Sequence, residues 1–240
     1  MNNPNFWQPI ITAFGTLLGA CLGGYLTHFF YNRRENSAVN RKIYENLFSP
    51  ILFKIFSYYE YNSLFNQGMI KDNYIHWLED IYFHTRNNLI FATPKIVSTC
   101  ESIERLKFME DRKGTLKDER LLILVEELLN LALKLLNDKD SKEEIKKYRA
   151  LYFIWRILTE RYGSSEEVMG GIRMTFVLDN IKINPNKYKK AYRYYSKNFY
   201  KKNWEEVIEI TLNKIGVKKK DLSIVMNHFN DCSYNNNFGC

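Results

Sequence analysis

Charged side chains are missing from the first thirty-two residues of this chain, and Arg33-Arg34 ends the gap. That absence excludes an ordinary solvent-facing opening. From Pro9 to Tyr31 the side chains are mostly apolar. At roughly 1.5 Å per residue this block reaches about 35 Å as a helix, against a hydrocarbon core of about 30 Å. Cysteine is also scarce: four residues, at 21, 100, 232 and 240, with no CxxC pair. That spacing argues against a disulfide framework and against a zinc knuckle. Only Pro50, Pro94 and Pro185 follow the apolar block, and no tract has linker composition or an internal repeat.

Motifs of common chemistry are absent too. There is no GxxxxGK[ST] or GxGxxG phosphate loop, no GxSxG elbow and no HExxH helix. No Arg precedes a His at the four-to-six-residue spacing of HEPN-type helical ribonucleases. The chain is therefore expected to be non-enzymatic and to need no cofactor.

What is present begins with the apolar block. A cleaved signal peptide needs a basic front and a shorter apolar run. Leu18-Gly19-Ala20-Cys21 loosely resembles a lipobox, but apolar residues continue from Leu22 to Phe30 beyond the cysteine. The reading is a transmembrane helix over residues 9–31, with residues 1–8 as a short extracytoplasmic terminus. Arg33, Arg34, Arg41 and Lys42 follow the block and no basic residue precedes it. The positive-inside bias then places the N-terminus outside and residues 32–230 in the cytoplasm of a bacterial inner membrane. Gly15, Gly19 and Gly23 repeat every four residues, a spacing that lets two membrane helices approach closely. Self-association, or a protein partner beneath the bilayer, is the expected use of that stripe. A bilayer-perturbing effector of toxin or phage-defence type, clustering through the same stripe, is the alternative.

The remainder reads as all-α, because its apolar residues recur every three to four positions. Helices are expected from Val39 to about Phe65 with a break at Pro50, from Asp72 to Leu89, and from Thr93-Pro94 onward. Arg112 to Thr115 reads as a turn. The most apolar helix then runs from Leu116 to Leu136, with Glu126, Glu127, Asn130 and Lys134 marking it as a core helix and not a second span. Ser141 with Glu144 suggests a capping box for a helix through Tyr162 that Gly163 ends, and Ser164 with Glu167 suggests another. Residues 170–178 fit helix or strand. Asn203 with Glu206 opens a helix that Gly216 closes, and a last helix from Asp221 leads to a polar tail over 231–240.

Two constellations could carry function. His76, Asp80 and His84 lie on one drifting helical face and are weak candidates for a divalent metal, with surface or structural roles the stronger reading. The second is a basic, aromatic segment over residues 180–204. Residues 1–179 hold 23 basic and 22 acidic side chains, whereas residues 180–204 hold eight basic and none acidic. Tyr188, Tyr192, Tyr195 and Phe199 fall along one helical side, with Lys189, Arg193, Lys197 and Lys201 on an adjacent side and Lys190 and Lys202 nearby. The tyrosines are expected to pack into the core. The lysines then face solvent, anionic lipid or, with less support, nucleic acid.

Overall fold

The computed structural model describes residues 7–63, 77–109, 115–136, 138–163, 168–169, 172, 181–201 and 203–235. The chain divides into two units, residues 1–43 and Tyr44–Cys240. Every regular element among the described residues is helical, so the all-α expectation holds.

The first unit is a single helix, α1 (Trp7–Ile43), 37 residues long and hence about 55 Å at 1.5 Å per residue. It continues well past the first charged residue and ends with Arg41 and Lys42 in the last turn, where cations suit the C-terminal end of the helix dipole. Its threonines turn back on the backbone: Thr16 Oγ1 donates to Thr12 O at 2.6 Å and Thr27 Oγ1 to Gly23 O at 2.7 Å. These bonds hide hydroxyl groups that would otherwise need water. Tyr25 stacks on Phe29 one turn later, at 6.5 Å between ring centroids.

Among the described residues, no helix is long and apolar enough to cross a membrane. The transmembrane helix expected over 9–31 thus lacks support in the fold. Threonine, glycine and His28 dilute the described part of that stretch, and charge enters from Arg33. The side chains of residues 7–11, 13, 15 and 17–20, which include Gly15 and Gly19, lie outside the described residues.

The second unit begins with a π turn, Tyr44–Phe48, followed by α2 (Ser49–Ser63). The wide turn has a local cause. Pro50 has no N–H to give the carbonyl four residues back, that of Asn46. His84 Nε2 lies 3.0 Å from the same carbonyl oxygen and donates to it. His84 belongs to α3 (Trp77–Asn87), which buries Leu78, Ile81, Tyr82 and Thr85. Next comes α4 (Pro94–Leu106), opened by Thr93, whose hydroxyl accepts the Ile96 N–H at 3.4 Å.

The centre of this unit is the pair α5 (Thr115–Leu135) and α6 (Lys139–Tyr162). From α5, Leu122, Leu124, Leu128, Leu129 and Ala132 are fully enclosed, and Tyr152, Phe153, Ile157 and Leu158 of α6 meet the same core. Helix α6 starts three residues earlier than the Ser141–Glu144 capping box implies. The cap is Asp138, whose carboxylate accepts the Ser141 N–H at 2.7 Å. Gly163 ends α6 with φ near +120°, a conformation that glycine adopts without a Cβ penalty.

Aromatic residues join α2 to α6. Phe56 stacks on Tyr148 at 4.4 Å, Tyr58 stacks on Trp155 at 5.6 Å, and Tyr59 meets Tyr152 and Trp155 edge-on. Two phenols add hydrogen bonds across that seam. Tyr152 OH donates to Ile55 O at 2.6 Å, and Tyr148 OH to Glu60 at 2.5 Å.

The last three helices are α7 (Tyr188–Asn198), α8 (Trp204–Ile215) and α9 (Lys219–Asn235). Asn203 caps α8 as expected, accepting the Glu206 N–H at 3.4 Å while its amide donates to the Glu206 carboxylate at 3.1 Å. Helix α9 starts at Lys219, two residues ahead of Asp221. The Ser164–Glu167 box and the helix-or-strand question over residues 170–178 fall mainly outside the described residues, as do residues 110–114.

Gly216 closes α8 in the left-handed region, φ +111°, and a Cβ there would lie 3.0 Å from both the Cβ and the backbone N of Asn184. Asn184 N also donates to Ile215 O at 2.8 Å, so the two segments are clamped together. Gly216→Ala is expected to destabilise the second unit by about 1–3 kcal/mol, read as a lower urea midpoint with an unchanged slope.

Candidate functional site

Helix α7 has two faces of opposite character. Tyr188, Ala191 and Tyr195 point inward and are buried, while Tyr192 is half-buried. Their spacing of three to four residues makes one stripe, and its inward orientation turns the other side of the helix to solvent. Lys189, Lys190, Arg193 and Lys197 are all exposed, as is Lys201 just beyond the helix. Among the described residues none of these five cations is ion-paired. Lys202 lies outside the described residues.

The inward face rests on a buried ionic cluster. Tyr188 OH donates to Glu126 of α5, and Tyr195 OH to Glu160 of α6 at 2.5 Å. Arg156 of α6 joins the two carboxylates: its Nε donates to Glu126 at 2.8 Å and its Nη1 to Glu160. The guanidinium also lies over the rings of Phe153 and Tyr195, at 5.4 and 5.8 Å. Beside it, Arg149 donates to Asn130 at 3.0 Å and sits 4.0 Å over the Tyr188 ring. Each carboxylate accepts from one arginine and one phenol.

Burial alone would loosen the proton on Arg156, but Glu126 and Glu160 outweigh it and hold the arginine firmly charged. Tyr188 and Tyr195 are pushed above the ordinary tyrosine range, first by burial and then by the carboxylates that accept their protons. Glu119, one helical segment away, is raised by burial and then by the charge of Glu160. Arg149 is lowered, chiefly by burial.

A cleft of about 380 Å³ opens above the cluster, between α4, α5, α6 and α7, with Lys95, Arg120 and Tyr192 among its walls and the Glu126–Arg156 pair at its floor. Lys95 Nζ donates to Glu127 at 2.5 Å and lies 3.4 Å from the Tyr192 hydroxyl. The floor carboxylate is committed to an arginine and a phenol, and the Glu127 carboxylate to a lysine. The arrangement therefore fastens four helices.

No family model, curated protein or solved structure matches this chain.

The sequence candidates have separate fates. Asp80 accepts from Lys54 at 2.6 Å and His84 holds the Asn46 carbonyl, while His76 lies outside the described residues. Among the described residues no three His, Cys, Asp or Glu side chains gather as metal ligands. In the glycine stripe, Gly23 and its neighbour Gly24 have no atom within 4 Å of where a Cβ would stand. The cluster around Arg156 was the feature least visible in advance. Its one sequence signal is charge where charge is out of place: Glu126 inside LLILVEELL, and Arg156 four residues before Glu160 in an otherwise apolar run.

Two outcomes test this arrangement. Arg156→Met leaves two buried carboxylates without their cation, and the expected loss is about 3–5 kcal/mol by chemical denaturation. Adding Glu126→Gln and Glu160→Gln to that variant should restore part of the loss. Tyr59, Tyr148, Tyr152, Tyr188 and Tyr195 all hold their protons above the ordinary range, burial being the largest cause in each. Below about pH 10 folded and unfolded chains keep these protons alike; above it the unfolded chain releases them first, so stability falls as pH rises. Ultraviolet titration should show these five tyrosinates emerging only with cooperative alkaline unfolding.

Proposed function

We propose that this chain is a non-enzymatic helical module anchored in a membrane by its N-terminal helix, assembling with itself or a protein partner at the inner face. The observation that carries this reading is the apolar surface of α1. Phe14, Leu22 and Phe30 are 67%, 60% and 59% exposed, and no charged residue occurs before Arg33. Covering one such side chain is worth about 1.5–3 kcal/mol, so a helix bearing a series of them favours lipid or another apolar helix over water. The arginines and lysine that follow support an orientation with the N-terminus outside and the second unit cytoplasmic.

Self-association is supported by the glycine spacing and by the open space at Gly23 and Gly24. The second unit offers a salt-bridged helical body, which fits a binding or assembly role. The same open glycine face would let many copies cluster and perturb the bilayer.

Membrane fractions washed with alkaline carbonate test the anchor. Wild-type protein should stay in the pellet and Leu22→Arg should shift toward the supernatant; wild-type protein released by the wash would sink the anchor. Crosslinking in intact membranes should yield oligomers that Gly23→Ile weakens several-fold. An unchanged ladder would leave the helix as a plain tether, and loss of membrane potential on overproduction would favour the bilayer-perturbing role.

A further inference from the structure

We propose that the outward face of α7, with the lysines that the fold brings beside it, is a contact surface for anionic lipid headgroups; this rests on the anchored reading above. The tyrosine stripe fixes the orientation of the helix, because Tyr188 and Tyr195 are hydrogen-bonded into the buried cluster. Lys189, Lys190, Arg193 and Lys197 therefore lie on the side turned away from the core, and these four and Lys201 beyond the helix are exposed.

The fold enlarges this patch in a way that sequence order conceals. Asn184 N donates to Ile215 O at 2.8 Å, and Gly216 abuts Asn184. That clamp joins the segment carrying Lys182 and Lys187 to the turn that leads into Lys218-Lys219-Lys220, and all five are exposed. Between residues 180 and 204 no acid dilutes the charge. Tyr200, 93% exposed, stands beside Lys201. An amphipathic ring next to cations is the composition found at the headgroup level of membranes.

Charge complementarity selects the occupant. A surface of exposed lysines attracts a sheet of anionic headgroups within a Debye length, and a tethered protein meets that sheet at high effective concentration. Nucleic acid would meet the same lysines. However, Tyr188 and Tyr195 are turned into the core and Tyr192 and Tyr194 are half-buried, which leaves Tyr200 as the fully exposed ring beside the patch.

The test is lysine acetylation read by mass spectrometry, on the full chain reconstituted in vesicles of phosphatidylcholine alone or with about one-third phosphatidylglycerol. Lys189, Lys190, Lys197 and Lys201 should be protected at least threefold in the anionic vesicles, and 0.5 M salt should abolish the protection. Lys139, exposed elsewhere in the unit, should react equally in both. Replacing Lys189, Lys190, Arg193 and Lys197 by Gln should return Lys201 to its reactivity in neutral vesicles. Equal labelling of the patch in both vesicles would overturn the proposal. So would protection by an added single-stranded oligonucleotide with none by lipid. Sedimentation of the protein with neutral vesicles reports the anchor separately, so a failed patch and a failed anchor give different results.

Discussion

The buried ion pair between Arg156 and the two carboxylates Glu126 and Glu160 is the constraint on which the architecture of the second unit depends. Removing three charges from water is costly, and the cost is offset only when every group finds a partner. Here Arg156 serves both carboxylates, and the two phenols of α7 complete their hydrogen bonding. The cluster therefore does more than join α5 to α6. It demands that α7 dock with Tyr188 and Tyr195 at two set points, because a shift of one residue would leave a buried carboxylate short of a donor.

That docking decides what the outside of α7 looks like. With the tyrosines engaged, the basic residues lie on the far side, unpaired among the described residues and open to solvent. At the end of α8 the left-handed Gly216 permits the close approach of Asn184. The orientation of α7, and with it the placing of its surface charge, thus follows from one polar arrangement in the core. The aromatic seam between α2 and α6 has a different role, contributing apolar area while its phenols satisfy backbone and carboxylate acceptors.

Several local features were legible from residues alone because their causes are local. Thr93-Pro94 and Asn203–Glu206 start helices where side-chain acceptors meet free N–H groups, and Gly163 and Gly216 stop them. Pro50 marked a break, although its form, a π turn answered by His84 thirty-eight residues away, was not visible. The capping box at Ser141 was misread because Asp138 competes for the same N–H and takes it. The metal candidates failed to converge for a similar reason: Asp80 and His84 each have a partner on or beside α2, distant in sequence.

By itself the sequence determined the helical class, the uncharged opening and the segregation of basic charge into one short segment. Each of these follows from composition and from a period of three to four residues, which act over a few neighbouring positions. Tertiary structure alone decided which charges are buried together, which way Tyr188 and Tyr195 of α7 turn, and that Asn184 meets Ile215 and Gly216 some thirty residues on. Those outcomes depend on pairing groups from three helices in a medium where an unpaired charge is prohibitive, and no local pattern encodes the partner.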